Sequence, residues 1–131
     1  MIFVDTSAWF AFHSVRDVNH AAAAQAMNSF SEPLVTTDYV VDETLTLFRA
    51  RGEHRLALTF GRRVIDGGSA KIVAVSNLDF ADAWEVFQRF ADKEWSFTDC
   101  TSQVVMQRLH IQRAFAFDDH FHQFGTVTVL P

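Results

Sequence analysis

The chain is poor in the residues that make unusual folds. A single cysteine, Cys100, rules out an internal disulfide and falls short of any zinc-ligand pattern. Only 5 Gly and 2 Pro occur, so collagen-like repeats and extended disorder are excluded. No apolar stretch reaches the roughly 18 residues that a transmembrane helix needs. The opening Met1-Ile2-Phe3-Val4-Asp5 lacks the basic start and long apolar run of a secretory signal. With one lone thiol, a reducing cytoplasm is the expected compartment. Positive charge is also in deficit, at a net −5. Bulk attraction to nucleic acid is therefore excluded as a mode of action, because such binders are basic. An acidic centre neutralised by divalent ions escapes that exclusion. Walker, GxGxxG, GxSxG and HExxH motifs are all missing.

What the chain has is apolar mass. Hydrophobic residues make up 49% of 131 positions, with 14 Phe and 3 Trp, enough for one domain with a substantial core. Short β-prone runs alternate with helical periodicity. Strands are expected at 2–4, 34–36, 72–75, 114–117 and 127–130. Helices are expected at 8–13, from Asp17, from Thr37 or Asp38 to Gly52, at 56–65, at 79–91, and from Thr98 or Asp99 to Leu109, with a helical turn at 119–124. Such alternation predicts one α/β domain spanning 1–131 around a mainly parallel sheet.

Parallel sheets bind ligands beyond the carboxyl ends of their strands. Asp5 follows the first strand and Asp118 the fourth, so both fall on one edge. Asp99 opens a helix, where the dipole favours a carboxylate. Glu43 lies about one turn inside its helix beside apolar positions, where an unpaired charge is costly. Asp42 falls about 100° away and is read as solvent-facing. Converging carboxylates repel, and hard oxygen-seeking cations such as Mg²⁺ or Mn²⁺ relieve that repulsion. His120-Phe121-His122 reads as a loop with Phe121 packed inward and no metal role. The aromatic stripe around Trp84 and Phe87 reads as core or dimer surface. Arg49, Arg51, Arg55, Arg62 and Arg63 form the densest basic set, either a solvated helical face or an RNA contact.

Four stretches in this order, Val4-Asp5-Thr6-Ser7-Ala8, Asp42-Glu43-Thr44-Leu45, Phe97-Thr98-Asp99-Cys100-Thr101-Ser102 and Phe117-Asp118-Asp119-His120-Phe121 with Gly125, resemble a PIN domain, and more narrowly the VapC toxins of type II toxin–antitoxin systems. The resemblance covers the whole chain. It implies a three-layer α/β/α sandwich and a metal-dependent endoribonuclease leaving 5′-phosphate and 3′-hydroxyl ends, with tRNA as the foremost substrate and mRNA or rRNA left open. It implies that Asp5, Glu43, Asp99 and Asp118 are the catalytic acids, holding Mg²⁺ or Mn²⁺, with Asp5 and Asp99 as the most direct ligands and Glu43 in support. Asp118 is preferred over Asp119 on family spacing. Thr6, Ser7 and Thr101 match supporting polar positions. A VapB-like antitoxin and a homodimer are the implied partners. The competing readings are a metal-dependent DNA nuclease, a non-catalytic RNA-binding PIN domain and a receiver domain. The last lacks its acceptor Asp on the third strand, which runs into Val75-Ser76-Asn77.

Overall fold

A computed structural model describes residues 1–131. The elements run β1 (Ile2–Val4), α1 (Thr6–His13), α2 (His20–Ser29), β2 (Leu34–Thr37), α3 (Asp38–Ala50), α4 (His54–Gly61), β3 (Lys71–Val73), α5 (Asn77–Arg89), α6 (Phe97–Arg108), β4 (Arg113–Phe115), a 3₁₀ helix (Asp119–Phe124) and β5 (Thr128–Leu130). All five strands are parallel, in the order β3-β2-β1-β4-β5. Phe3 pairs with Val35 on one side and Ala114 on the other, so β1 is central and fully buried. Right-handed crossovers place α1–α4 on one face and α5–α6 on the other. This is the expected three-layer sandwich, and its sheet is wholly rather than mainly parallel.

The direction of travel reverses between β1 and β4. The chain steps outward from β1 through β2 to β3, then crosses back to β4. At such a switch the crossovers leave on opposite faces and open a crevice at the strands' carboxyl ends. Phe3, Phe48, Phe60, Phe115 and Phe121 fill the core beneath it. Helix α6 is buried continuously from Asp99 to Met106, because α5 covers the flank that would otherwise face water. A bidentate pair fastens the two helices: Arg108 Nε and Nη2 donate to the buried Asp79 carboxylate at 2.8 Å each. That pair holds the Asp79 carboxyl below its usual range, with the Arg108 hydrogen bonds as the chief cause.

Several boundaries differ from expectation, and capping explains most of them. Helix α1 begins at Thr6 rather than Ala8, with Asp5 as its cap. Asn19, rather than Asp17, precedes α2, and Asp17 instead accepts from the Asn19 amide at 2.8 Å. Ser76 and Ser96 cap α5 and α6 through reciprocal capping boxes with Asp79 and Asp99. Asp99 is therefore the third residue of its helix, not the first. The helix expected at 56–65 begins at His54 and passes after Gly61 into a π-helical turn, Arg62–Asp66. Gly67 closes that turn, and a Cβ there would lie 2.9 Å from the Arg63 carbonyl. Strands β3 and β4 each end two residues before the expected position.

Candidate active site

Asp5 is fixed by its neighbours in chain and sheet. Its backbone N–H still donates to Phe115 O at 3.0 Å, within the β1–β4 ladder. Its Oδ2 accepts from Ser7 N at 3.1 Å and Ser7 Oγ at 2.6 Å. Ser7 Oγ in turn accepts from the Phe117 amide at 3.0 Å, so one hydroxyl joins the ends of both central strands. Asp5 is only 3% exposed. Burial is the main reason its carboxyl is pushed up to about 7; the Ser7 bonds oppose this, and the charges of Asp99 and Glu43 add to it.

Asp99 is 5% exposed on the first turn of α6. Its Oδ2 accepts from the Ser96 amide at 3.0 Å and lies 2.6 Å from His120 Nδ1. Burial again raises its pKa, while the Ser96 amide and His120 hold the rise back. Asp118 caps the 3₁₀ helix, accepting from the His120 amide at 2.9 Å, and its carboxylate lies 3.2 Å from His120 Nδ1. Glu43 reaches in, half-buried, from the second turn of α3. Burial raises its pKa, the nearby Thr6 and Thr98 hydroxyls lower it, and Asp99 and Asp118 raise it further. Thr6 Oγ1 is buried beside it without completing a hydrogen bond. The four acids thus lie within each other's fields at the β1–β4 crevice.

The structure separates the remaining candidates. Asp42 and Asp119 are exposed and turned away. Thr101 is fully buried, and its hydroxyl donates to Thr98 O at 2.7 Å. The basic set is not one patch: Arg51 lies over Phe10, Arg63 lies over Phe12, and Arg49 and Arg62 line a separate groove between α3 and α4.

His120 corrects the sequence reading. Phe121 is fully buried as expected, but its neighbour touches both Asp99 and Asp118. The segment is a 3₁₀ helix, in which residues three apart share a face. Phe121 and Phe124 take the inward face, and His120 is rotated toward the acids. That spacing of three was the available signal. Burial acts to lower the His120 pKa, but its bond to Asp99 and the charges of Asp99, Asp118 and Asp5 outweigh it, and the net shift is upward.

Ligand atoms of Asp99, Asp118 and His120 all lie within 4.8 Å of one another. Two carboxylates and an imidazole, with Asp5 and Glu43 behind them, are a donor set suited to a hard or borderline divalent cation. The unpartnered Thr6 hydroxyl also fits a site that takes a hydrated ion.

Known proteins resemble the chain along its whole length. Residues 2–127 match the PIN domain family. The chain is 37% identical over 134 residues to the 23S rRNA-specific endonuclease VapC20 of Mycobacterium tuberculosis, covering 100% of this chain and 99% of that one. The crystal structure of that sarcin-ricin loop cleaving toxin superposes with a TM-score of 0.93 at 34% identity over all of both chains. A VapC ribonuclease of Archaeoglobus fulgidus is 30% identical over 123 residues, covering 90% of this chain and 77% of that one. A chain of a toxin-antitoxin complex from Klebsiella pneumoniae shares the fold, with a TM-score of 0.69, 14% identity and coverage of 98% and 96%. The chain belongs to the PIN-domain family. Within that family it is of the VapC type, a toxin nuclease.

Proposed function

We propose that this chain is a divalent-metal-dependent endoribonuclease that hydrolyses ribosomal RNA. The observation that carries this reading is the buried acid cluster at the β1–β4 crevice, where Asp5 is pushed up to about 7. Carboxylates so placed stay ionised together only when a cation joins them. A Mg²⁺ or Mn²⁺ ion bound there supplies Lewis acidity toward the scissile phosphate and acidifies the attacking water. Asp99 and Asp118 offer oxygens to such an ion, with Asp5 held in aim by Ser7. Glu43 orients the water from behind. His120, which now lies between Asp99 and Asp118, would either give up that place to the ion or join its ligands. Water adds at phosphorus and the bond to O3′ breaks, giving 5′-phosphate and 3′-hydroxyl ends.

Ribosomal RNA is preferred over the tRNA expected from family resemblance alone, because the relative matched over the full chain acts on 23S rRNA. A VapB-like antitoxin is the proposed inhibitor. A homodimer is proposed through α5, where Phe80, Trp84 and Phe87 are roughly half-exposed.

Mapping of RNA ends after induction tests this reading, with Asp99→Asn as control. Cuts in ribosomal RNA bearing 5′-phosphates, abolished by EDTA and by Asp99→Asn, are expected. A 2′,3′-cyclic phosphate, or cleavage that survives EDTA, would sink the mechanism. Cuts confined to tRNA would overturn the substrate, and preferential cutting of DNA would overturn the ribonuclease reading itself.

A further inference from the structure

Two shallow clefts meet on the surface between α1 and the end of α3, sharing Phe10, Asp17 and Arg51. One opens onto Ser7, Phe117 and Asp118 and so begins in the acid site. The other continues outward to Arg16. Together they form one path leading from the carboxylates to two guanidinium groups.

Arg51 is held in readiness along this path. Its guanidinium carbon lies 5.3 Å from the centroid of the Phe10 ring. That ring is itself stacked on the fully buried Phe48, with centroids 4.9 Å apart. Neither Arg51 nor Arg16 has a carboxylate within salt-bridge distance. Glu53 and Asp17 also line the outer cleft, but Asp17 is engaged by the Asn19 amide. A protein of net charge −5 repels a polyanion. Unpaired guanidiniums on a path that starts at that cluster supply the local attraction that bulk charge denies. The groove holding Arg49 and Arg62 shares no residue with the acid site.

We infer that this path seats the RNA strand flanking the scissile phosphate, with Arg51 as the positioning residue for a neighbouring phosphodiester, Arg16 for one farther along, and Phe117 as the apolar wall beside the intervening nucleotide. The inference rests on the ribonuclease reading and names the substrate-binding part of that same site. Arg51 acts on the strand and not on the reacting atoms. It sets affinity and register, and leaves the chemical step to the acids.

The test measures binding of a labelled RNA hairpin of sarcin–ricin sequence in an Asp99→Asn background, between about 50 and 200 mM salt. Arg51→Ala is expected to weaken binding about fivefold to tenfold and to reduce the salt slope by about 0.7 to 1. Arg16→Ala shifts both in the same direction by less, and Arg51→Lys recovers the slope. Arg62→Ala changes neither. In the otherwise native protein, Arg51→Ala raises KM and keeps kcat within about twofold. Unchanged affinity and slope in Arg51→Ala, an equal loss in Arg62→Ala, or a loss confined to kcat would overturn the inference. If the native protein cuts RNA and Arg51→Ala binds normally, the path fails and the ribonuclease reading stands. If the native protein cuts no RNA while binding still depends on Arg51, the ribonuclease reading fails and the path stands.

Discussion

Asp5 is almost wholly removed from water, with Asp99 and Glu43 adding their own charge. Its folded pKa is raised above the unfolded 3.8 to about 7. The folded state therefore binds this proton more tightly than the unfolded one. The associated stability is fully present below the unfolded pKa and is lost as pH rises through the folded one, by at most about 1.4 kcal/mol per pH unit. Glu43, Asp99 and His120 are shifted upward too, so all four act in one direction. In EDTA, the melting temperature is expected to fall from pH 5 to pH 8, and added Mn²⁺ should flatten that trend. Asp5→Asn keeps an acceptor for the Ser7 amide but carries no charge. It should melt several degrees higher than the parent at pH 8 in EDTA, yet cut no RNA. Thermal melts at the two pH values check this, and a parent whose stability rises with pH would refute it. That Asp5 and Asp118 share one edge of the sheet was legible because strand ends are local signals, while Asp99 and Glu43 joined them through the family resemblance. His120 was not legible, because the helical turn expected at 119–124 does not by itself say which way a residue beside the inward Phe121 is rotated.

Among the elements, two helices end in the same geometry with different residues. After α3, the Gly52 amide donates to Arg49 O and the Glu53 amide to Phe48 O, with Gly52 at φ +71°. After α6, the His110 amide donates to Gln107 O and the Ile111 amide to Met106 O, with His110 at φ +56°. Both are Schellman endings, which favour glycine at the left-handed position. His110→Gly should therefore stabilise the protein by up to about 1 kcal/mol, a few degrees in melting temperature. A lower melting point in that variant would show that the His110 side chain contributes more than its backbone strain costs. The element order was readable because hydrophobic periodicity survives without tertiary context. Element ends were less so. Ser76 and Ser96 sit one turn before the acids that looked like helix starts, and the capping boxes became plain only with both partners in view. The arginines of 49–63 looked contiguous because a sequence does not show that the α3–α4 turn sends Arg51 to one groove and Arg62 to another.

At the scale of the whole molecule, the outer face of α5 is unusually aromatic for a surface. Phe80, Trp84 and Phe87 are exposed by 49%, 51% and 43%, and Leu78 by 68%. Trp84 and Phe87 stack at 6.0 Å, while Phe80 and Phe87 both rest edge-on against Phe97. The patch is thus preordered and continuous with the start of α6. If it pairs two copies, Trp84→Glu combined with Phe87→Glu should convert a dimer to a monomer in sedimentation velocity while leaving the monomer's fold intact by circular dichroism. A native protein that sediments as a monomer at tens of micromolar would dismiss the pairing.

The seam between β1 and β4 also bears on when the site comes into being. Ser7 Oγ and the Phe117 amide, 110 residues apart, are bonded to each other across that seam. Asp5 lies far ahead in the sequence of its companions on α6 and beyond β4. The set of acids is therefore incomplete until α6 and β4 have docked against β1. A chain in which that docking has failed carries all the acids but no cluster.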